Sequence, residues 1–261
     1  MKWGECMNEH VLEAQNIKMY FGGVRAVDGI SCYVDKNEIL GIIGPNGSGK
    51  TTLINVLTGI YQPTEGRYLL NGTDITGRKL EDMTGLGIAR TFQNLRIFRA
   101  LTVMDNVLVG QHQSIKTSMI DNFFHTKRWK QSEEEARARA VEALRMVGLE
   151  HSVNDFAGSI PYGAQKRLEL ARALVMNPKV LMLDEPTAGL NGVESEDLMM
   201  LVKDIQQQQG ISIILIEHNM KLMMKLSDRV LVMDAGKEIA LGVPEEVQNN
   251  PVVIKAYLGE G

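Results

Sequence analysis

Cysteine and long apolar runs are scarce in this sequence. Among its 261 residues the two cysteines are Cys6 and Cys32, and neither belongs to a CxxC pair. Two such separated thiols favour reduced, packed side chains in a reducing compartment over a disulfide or a zinc site. No apolar stretch approaches the roughly 20 residues that span a bilayer, and residues 1–5 lack the apolar core of a signal peptide. If the protein works at a membrane, we expect other chains to anchor it.

A strong excess of charge is missing as well. The chain has 28 Lys and Arg against 32 Asp and Glu, a formal net charge of −4. This mild balance gives no electrostatic reason to expect a nucleic-acid groove or an anionic membrane surface as partner. With 44% apolar residues a chain of this length can bury a sizeable core without disulfide or metal staples. Small disulfide-rich and disordered classes are therefore excluded, and a cytosolic enzyme or subunit fits.

The hydrophobic pattern predicts an α/β fold with parallel strands. Short apolar stretches between turns predict strands from residue 10 to residue 43, and helical spacing follows Lys50 until Gly59. A helical stretch around Glu194–Gln209 ends at Gly210. Strand signals return at three later places: Val180–Asp184, Ile211–Ile216 and Val230–Met233.

The middle of the chain, residues 95–177, is helical in character. Ser132 with Glu135 forms the pattern of a capping box, which predicts that a helix starts there and ends near Gly148. We interpret the apolar face of this helix as part of the hydrophobic core and not as a groove for a partner. Two short helices are expected after Pro244 and Pro251 near the C-terminus.

A glycine-rich loop lies between a buried strand and a helix start. It matches G-x-x-x-x-G-K-[ST], the pattern that turns backbone N–H groups inward around a β-phosphate. We expect Lys50 to reach the β- and γ-phosphate oxygens, Thr51 to bind Mg²⁺ and Thr52 to add an α-phosphate contact. The residues of the loop are Gly44, Pro45, Asn46, Gly47, Ser48, Gly49, Lys50 and Thr51.

Two further apolar strands end in polar side chains. Val180–Leu183 leads into Asp184 and Glu185, at the strand end where open α/β sheets bind ligands. We interpret Asp184 as a Mg²⁺ ligand and Glu185 as the general base that polarises the attacking water. His218 follows Ile213–Glu217 and can donate to a γ-phosphate oxygen.

Together these motifs resemble the ATP-binding subunit of ABC transporters, from about Val11 to Leu258. The resemblance implies a P-loop cassette with a mixed sheet and RecA-like core, an antiparallel β subdomain and a helical subdomain. It assigns Phe21 to stacking on adenine, with Tyr20 as its rival. It assigns Gln93 to bridging Mg²⁺ or water and the interface with the membrane domain.

The family signature L-S-G-G-Q aligns with Ile160–Ala164 and departs from it. Of the positions after Ile160, Gly163 alone is retained, and Pro161 replaces the serine. Because Pro161 has neither hydroxyl nor N–H, the serine contact to the γ-phosphate bound on an opposite subunit cannot be carried over. Tyr162, in place of the first glycine, and Gly163 remain the expected contacts, with the helix amides as a weaker substitute.

The resemblance is strongest to the importers of branched-chain amino acids. The residues that indicate this subgroup are Tyr162-Gly163, Ala188–Asn191, Ile216–Met220 with Lys221-Leu222, and the ending Ala256–Glu260. It implies an ATPase on the cytoplasmic face of the membrane, bound to transmembrane permease subunits and, in a homo- or heterodimer, to a second ATP-binding subunit. A solute-binding protein is expected to act indirectly, and no nucleic acid is expected.

The same resemblance divides one cassette, residues 8–261, into parts. A nucleotide-binding core with the β subdomain comprises residues 10–93 and 178–243, a helical subdomain residues 95–177, and a tail residues 244–261. An alternative function stays open: an ATP-switched binding subunit with a degenerate signature that hydrolyses weakly and acts mainly in a heterodimer.

Overall fold

In the computed structural model, which describes residues 10–91, 95–111 and 127–258, the strands form two sheets. The strands are β1 His10–Phe21, β2 Val24–Asp35, β3 Ile39–Ile43, β4 Glu65–Leu70, β5 Thr73–Asp74, β6 Ile88–Arg90, β7 Val180–Asp184, β8 Ser212–Ile216, β9 Arg229–Asp234 and β10 Lys237–Gly242. The helices are α1 Lys50–Leu57, α2 Leu80–Leu86, α3 Val103–Gly110, α4 Lys127–Met146, α5 Tyr162–Leu174, α6 Gly192–Gln209, α7 Met220–Leu226, α8 Pro244–Gln248 and α9 Pro251–Leu258.

The smaller sheet is antiparallel, in the order β2-β1-β4-β5. Its first two strands form a hairpin in which Phe21 pairs with Val24 across the turn at Gly22 and Gly23. Gly22 has a φ of 58°, a left-handed conformation that suits glycine in such a turn.

The larger sheet has the order β10-β9-β3-β8-β7-β6. All its pairings are parallel except that of β10 with β9, so the predicted parallel α/β core is confirmed as part of a mixed sheet. Every residue of β3, β7 and β8 is buried, which explains their continuous apolar runs.

The two faces of this sheet pack into separate cores. On β7, Leu181 and Leu183 join the core formed with the helices of residues 103–226. Val180 and Met182 point to the opposite side and join the core shared with α1 and the antiparallel sheet. This alternation of side chains between the two faces is the ordinary pleat of a strand. Both faces of the strand are apolar, so polar residues are found only at its end.

The predicted start of the middle helix at Ser132 is wrong. Helix α4 already begins at Lys127, and Ser132 lies inside it. Glu135 accepts a hydrogen bond from Gln131 Nε2 at 3.2 Å, a pair one helical turn apart. The Lys, Arg and Gln residues before Ser132 are themselves good helix formers, so the helix extends through the apparent cap. Its C-terminus, just before Gly148, agrees with the prediction.

Cys32 is a free, buried thiol, and burial raises its pKa to about 12. Such a thiol stays protonated and unreactive, in agreement with the expectation of a packed, reduced side chain. Cys6 lies outside the described residues. Within the parts of the chain that the structure describes, no helix is both long and apolar enough to cross a bilayer.

Candidate nucleotide site

The glycine loop joins the end of β3 to the start of α1, as its sequence position predicted. Its glycines leave no room for side chains: a β-carbon on Gly44 would lie 2.0 Å from the Met233 carbonyl oxygen. One on Gly49 would lie 2.2 Å from the carbonyl oxygen of Ala26. Both glycines have positive φ, 152° and 100°, so the loop depends on glycine for conformation and for space.

Lys50 is held across this loop. Its Nζ donates to the carbonyl oxygens of Gly44 and Pro45, at 2.8 and 3.0 Å. Burial lowers the pKa of Lys50, and the nearby carboxylates of Glu185 and Asp184 oppose that shift. A partly desolvated ammonium beside a ring of backbone amides is suited to phosphate oxygens.

Asp184 ends the neighbouring buried strand β7 and is 1% exposed. Its Oδ2 accepts a hydrogen bond from Arg90 Nη2 at 2.9 Å, and Arg90 also donates to Asn55 Oδ1 at 2.5 Å. Burial raises the pKa of Asp184, while the Arg90 guanidinium acts in the opposite direction. Sequence reasoning missed Arg90, because it lies 94 residues from Asp184 in the chain and belongs to no motif.

Glu185 and His218 come together at the ends of two adjacent strands. In the register of β7 with β8, Asp184 pairs with Ile216, so the residues that follow both strands emerge at one edge. His218 Nε2 lies 2.7 Å from Glu185 Oε1. Glu185 has a φ of 51°, an uncommon conformation for a residue with a side chain, and its amide donates to the Ile216 carbonyl oxygen at 2.9 Å.

A buried carboxylate beside His218 was not anticipated. Glu217 Oε2 accepts a hydrogen bond from Thr187 Oγ1 at 2.7 Å, and its Oε1 accepts one from the His218 amide at 2.9 Å. Thr187 belongs to the loop after β7, and Glu217 to the turn after β8. Glu217 thus joins the two loops that present Glu185 and His218. Its place beside a motif histidine was the only sequence signal for it.

The glycine loop and the Glu185–His218 pair border one open cleft of about 440 Å³, and Asp184, Arg90 and Glu217 lie outside its lining. Its wall includes loop residues and both members of the Glu185–His218 pair. The predicted residues on this wall are Asn46, Gly47, Gly49, Lys50, Thr51, Thr52, Glu185 and His218.

The aromatic residues near this cleft differ in their contacts. Phe21 is 43% exposed, packs edge-on against Tyr61 with ring centroids 5.3 Å apart, and is paired with Val24, which lines the cleft. The hydroxyl of Tyr20 instead donates to Asp28 at 2.7 Å. Of the two aromatics, Phe21 has the freer face. Gln93 lies outside the described residues.

The residues of the predicted signature lie outside this cleft. Pro161 is the N-cap of α5 and makes no side-chain capping bond. Tyr162 begins the helix and its hydroxyl donates to the Ala188 carbonyl oxygen at 3.2 Å. Tyr162 and Gly163 lie outside the residues that line the cleft, so the structure does not bring them to the glycine loop of the same chain.

The oxygen atoms around Asp184 suit a magnesium ion. Asp184 Oδ1 is buried and has no hydrogen-bond partner among the described residues, and Thr51, which carries a hydroxyl, lines the cleft. Carboxylate and hydroxyl oxygens are ligands that Mg²⁺ accepts when phosphates and water complete its shell. The described residues contain no cluster of three or more His, Cys, Asp or Glu side chains that could hold a metal by themselves.

Comparison with known families identifies the class of this protein. The family model of the ABC transporter matches residues 27–188, and the chain belongs to the ABC transporter family. A second model, the branched-chain amino acid ATP-binding cassette transporter, matches residues 237–261. The resemblance inferred from the motifs, and with it the fold class, is confirmed.

Curated relatives and solved structures agree with this assignment. The chain is 43% identical over 254 residues to the high-affinity branched-chain amino acid transport ATP-binding protein BraF of Pseudomonas aeruginosa, covering 97% of this chain and 100% of that protein. The same identity and coverage hold for LivG of Escherichia coli. A nucleotide-free ATP-binding cassette from an ABC transporter superimposes with a TM-score of 0.83 at 36% identity, covering 96% of this chain and 100% of that chain.

Proposed function

We propose that this chain is the ATP-binding and ATP-hydrolysing subunit of an importer for branched-chain or related amino acids. The observation that carries the proposal is the single cleft lined by Lys50, Thr51, Glu185 and His218. Support for the solute class comes from the 43% identity to relatives named as branched-chain amino acid transport proteins.

The phosphates of ATP bind the amides of residues 44–52 and the Lys50 ammonium. Thr51 and Asp184, with Gln93 as a further ligand, would hold a magnesium ion, which would neutralise charge at the phosphates. Glu185 accepts the proton of the attacking water. His218 Nε2 orients the Glu185 carboxylate through their 2.7 Å contact, and it donates to the γ-phosphate in place of that carboxylate once ATP is bound. Phe21 stacks on the adenine at the mouth of the cleft.

The site of one chain is completed by a second ATP-binding subunit. Tyr162 is 42% exposed at the start of α5, away from its own glycine loop. In a dimer, Tyr162 and Gly163 of one subunit reach the phosphates bound by the other. Closure of this pair on ATP drives the importer, and hydrolysis lets it reopen.

The permease subunits dock in a groove of about 560 Å³ between the sheet and the helices of the middle region. Its walls combine apolar Ile97 and half-exposed Phe98 with the guanidinium groups of Arg96 and Arg172. Because the Glu169 carboxylate lines the same groove and offsets part of this positive charge, the partner that fits is a permease segment that presents apolar side chains. In this proposal the chain acts on the cytoplasmic face of the membrane, and the solute-binding protein acts on it only through the permease.

We also propose the division suggested by the sequence: core 10–93 and 178–243, helical part 95–177 and tail 244–261 of one cassette, 8–261. The antiparallel sheet and the larger sheet both fall within the core ranges, and α3, α4 and α5 lie within the helical range and pack together.

The alternative of a weakly hydrolysing switch is not favoured, since the Glu185–His218 pair needed for hydrolysis is in place. The ATPase rates of the lone chain and of its mixture with a second ATP-binding subunit separate the two. Strong activity of the lone chain contradicts the switch.

Glu185→Gln tests the ATPase directly. We expect Mg-ATP binding, measured by calorimetry, to stay within about 3-fold, and turnover to fall by at least about 100-fold, since general bases contribute 10²–10⁴-fold. Glu134→Gln, on the exposed face of α4, is the matched control and should leave both unchanged. Normal turnover of Glu185→Gln would refute the base, and no heat with Mg-ATP would refute the site. Copurification with permease subunits and uptake of labelled leucine by reconstituted vesicles test the solute class.

A further inference from the structure

The loop between β7 and α6, residues 185–191, is tied to the start of α5 through Tyr162. The Tyr162 hydroxyl donates to the Ala188 carbonyl oxygen at 3.2 Å. Its ring also lies against Gly189, where an added β-carbon would be 3.1 Å from the ring carbon Cε1. Gly189 has a φ of 83°, so both the backbone and the tyrosine ring require glycine there.

Hydrogen bonds continue from this contact toward the Glu185–His218 pair. The Ala188 amide donates to the Glu185 carbonyl oxygen at 3.1 Å. Thr187, between them, donates from its hydroxyl to Glu217 at 2.7 Å, and Glu217 accepts from the His218 amide at 2.9 Å. These bonds, together with the peptide link between Thr187 and Ala188, connect the signature helix to the backbone of Glu185 and of His218.

We infer that Tyr162 is a positioning residue that holds the 185–191 loop, and through it the Glu185–His218 pair of its own chain. The inference rests on the proposed function, in which that pair acts on ATP. The glycine that the family signature has at this position offers no hydroxyl to Ala188. The departure from the signature thus adds a within-chain tether, in addition to any contact that Tyr162 makes across a dimer.

The consequence for kinetics follows from the position of Tyr162. Because Tyr162 lies outside the residues that line the cleft of its own chain, losing its hydroxyl should leave the Mg-ATP affinity of the lone chain within about 2-fold. Because the loop it holds includes Glu185, the loss should lower turnover. We expect Tyr162→Phe, which keeps the ring on Gly189, to lower kcat by about 3- to 10-fold, the range of one neutral hydrogen bond.

Amide hydrogen exchange in the lone chain without nucleotide separates the tether from a contact across a dimer. We expect the amides of Ala188 and Leu190, which donate within the loop to Glu185 and Thr187, to exchange several-fold faster in Tyr162→Phe. Tyr33→Phe, a phenol on β2 that stacks on His10, is the matched control and should exchange as the parent does. Unchanged loop exchange in Tyr162→Phe would overturn the tether.

A double-mutant cycle tests whether Tyr162 and Thr187 act along one path. If they do, Tyr162→Phe combined with Thr187→Val lowers kcat by clearly less than the product of the two single effects. A loss equal to that product would show independent action and overturn the path. The exchange experiment needs no hydrolysis, so an inactive parent protein would refute the proposed function while leaving the tether to be judged separately.

Discussion

The glycine loop after β3 and the signature turn, Pro161–Gly163 at the start of α5, are built by opposite means. The loop is built from backbone: Gly44 and Gly49 have positive φ and a carbonyl oxygen within 2.2 Å of where a β-carbon would sit. The signature turn relies on a side chain, Tyr162, and Gly163 has only ordinary contacts, the nearest at 3.6 Å from Glu194. Backbone-built sites tolerate no added atoms, whereas a turn built on side chains can change residues and keep its place in the fold.

A glycine-to-alanine substitution made in each of the two regions should give the largest difference in Mg-ATP affinity. Gly44→Ala must displace the Met233 carbonyl oxygen, and we expect Mg-ATP affinity to fall by at least about 100-fold, about 2.7 kcal/mol. Gly163→Ala should leave affinity of the lone chain within about 2-fold. Calorimetry of both variants, with circular dichroism to verify folding, measures the contrast. Equal losses in the two variants would contradict it.

The largest effect on folding stability, rather than on ATP affinity, is expected from Arg90, which bonds Asn55 of α1 and Asp184 of β7. Arg90→Met leaves the buried Asp184 carboxylate without its guanidinium, and we expect a loss of about 3–5 kcal/mol in the free energy of unfolding in urea. Arg145→Met, in an exposed pair with Glu142, should cost less than about 1 kcal/mol.

The loss in Arg90→Met should depend on pH with a definite sign. Burial raises the pKa of Asp184 and Arg90 lowers it, so removing Arg90 raises this pKa further. Asp184 then takes up a proton in the folded state at a higher pH than the unfolded chain does. The loss in free energy of unfolding of Arg90→Met relative to the parent should become smaller as pH falls from 7.5 toward 5, because a neutral carboxyl needs no partner charge. A deficit independent of pH would contradict the ion pair as its cause.

The smallest expected effect belongs to the residue that breaks the signature. Pro161→Ser restores a hydroxyl at the N-cap of α5, where serine is favoured. We expect ATP affinity of the lone chain to stay within about 2-fold and turnover of the assembled dimer to rise, by up to about 10-fold, if the hydroxyl reaches the opposite phosphate. A changed affinity in the lone chain would place the signature in its own chain's site.

How far sequence predicts this site depends on how local each part is. The loop from Gly44 to Thr51 was predictable because its strand, glycines and helix are contiguous. Asp184 and Glu185 were predictable because they end a buried strand. Arg90 was not, since only the pairing of β6 with β7 brings it beside Asp184. The helix start at Ser132 failed for the opposite reason: a local cap pattern was overridden by helix-forming residues upstream of it.

The C-terminal segment also makes a contact that its sequence did not predict. Two short helices were predicted from Pro244 and Pro251, and both form. Their proximity to the glycine loop had no sequence signal. Burial raises the pKa of the Tyr257 phenol, and a hydrogen bond from the Gly44 amide acts in the opposite direction. Tyr257, within the segment matched by the branched-chain family model, thus lies beside the first glycine of the loop.

The two hydrogen bonds of Lys50 to the carbonyl oxygens of Gly44 and Pro45 affect the free energy of nucleotide binding. When a phosphate binds, Lys50 exchanges these backbone acceptors for phosphate oxygens. Much of the free energy gained from the new hydrogen bonds is therefore offset by the loss of the old ones. The same acceptors are available to Lys50 again once a phosphate leaves, so the contribution of Lys50 to nucleotide affinity is the difference between two sets of hydrogen bonds.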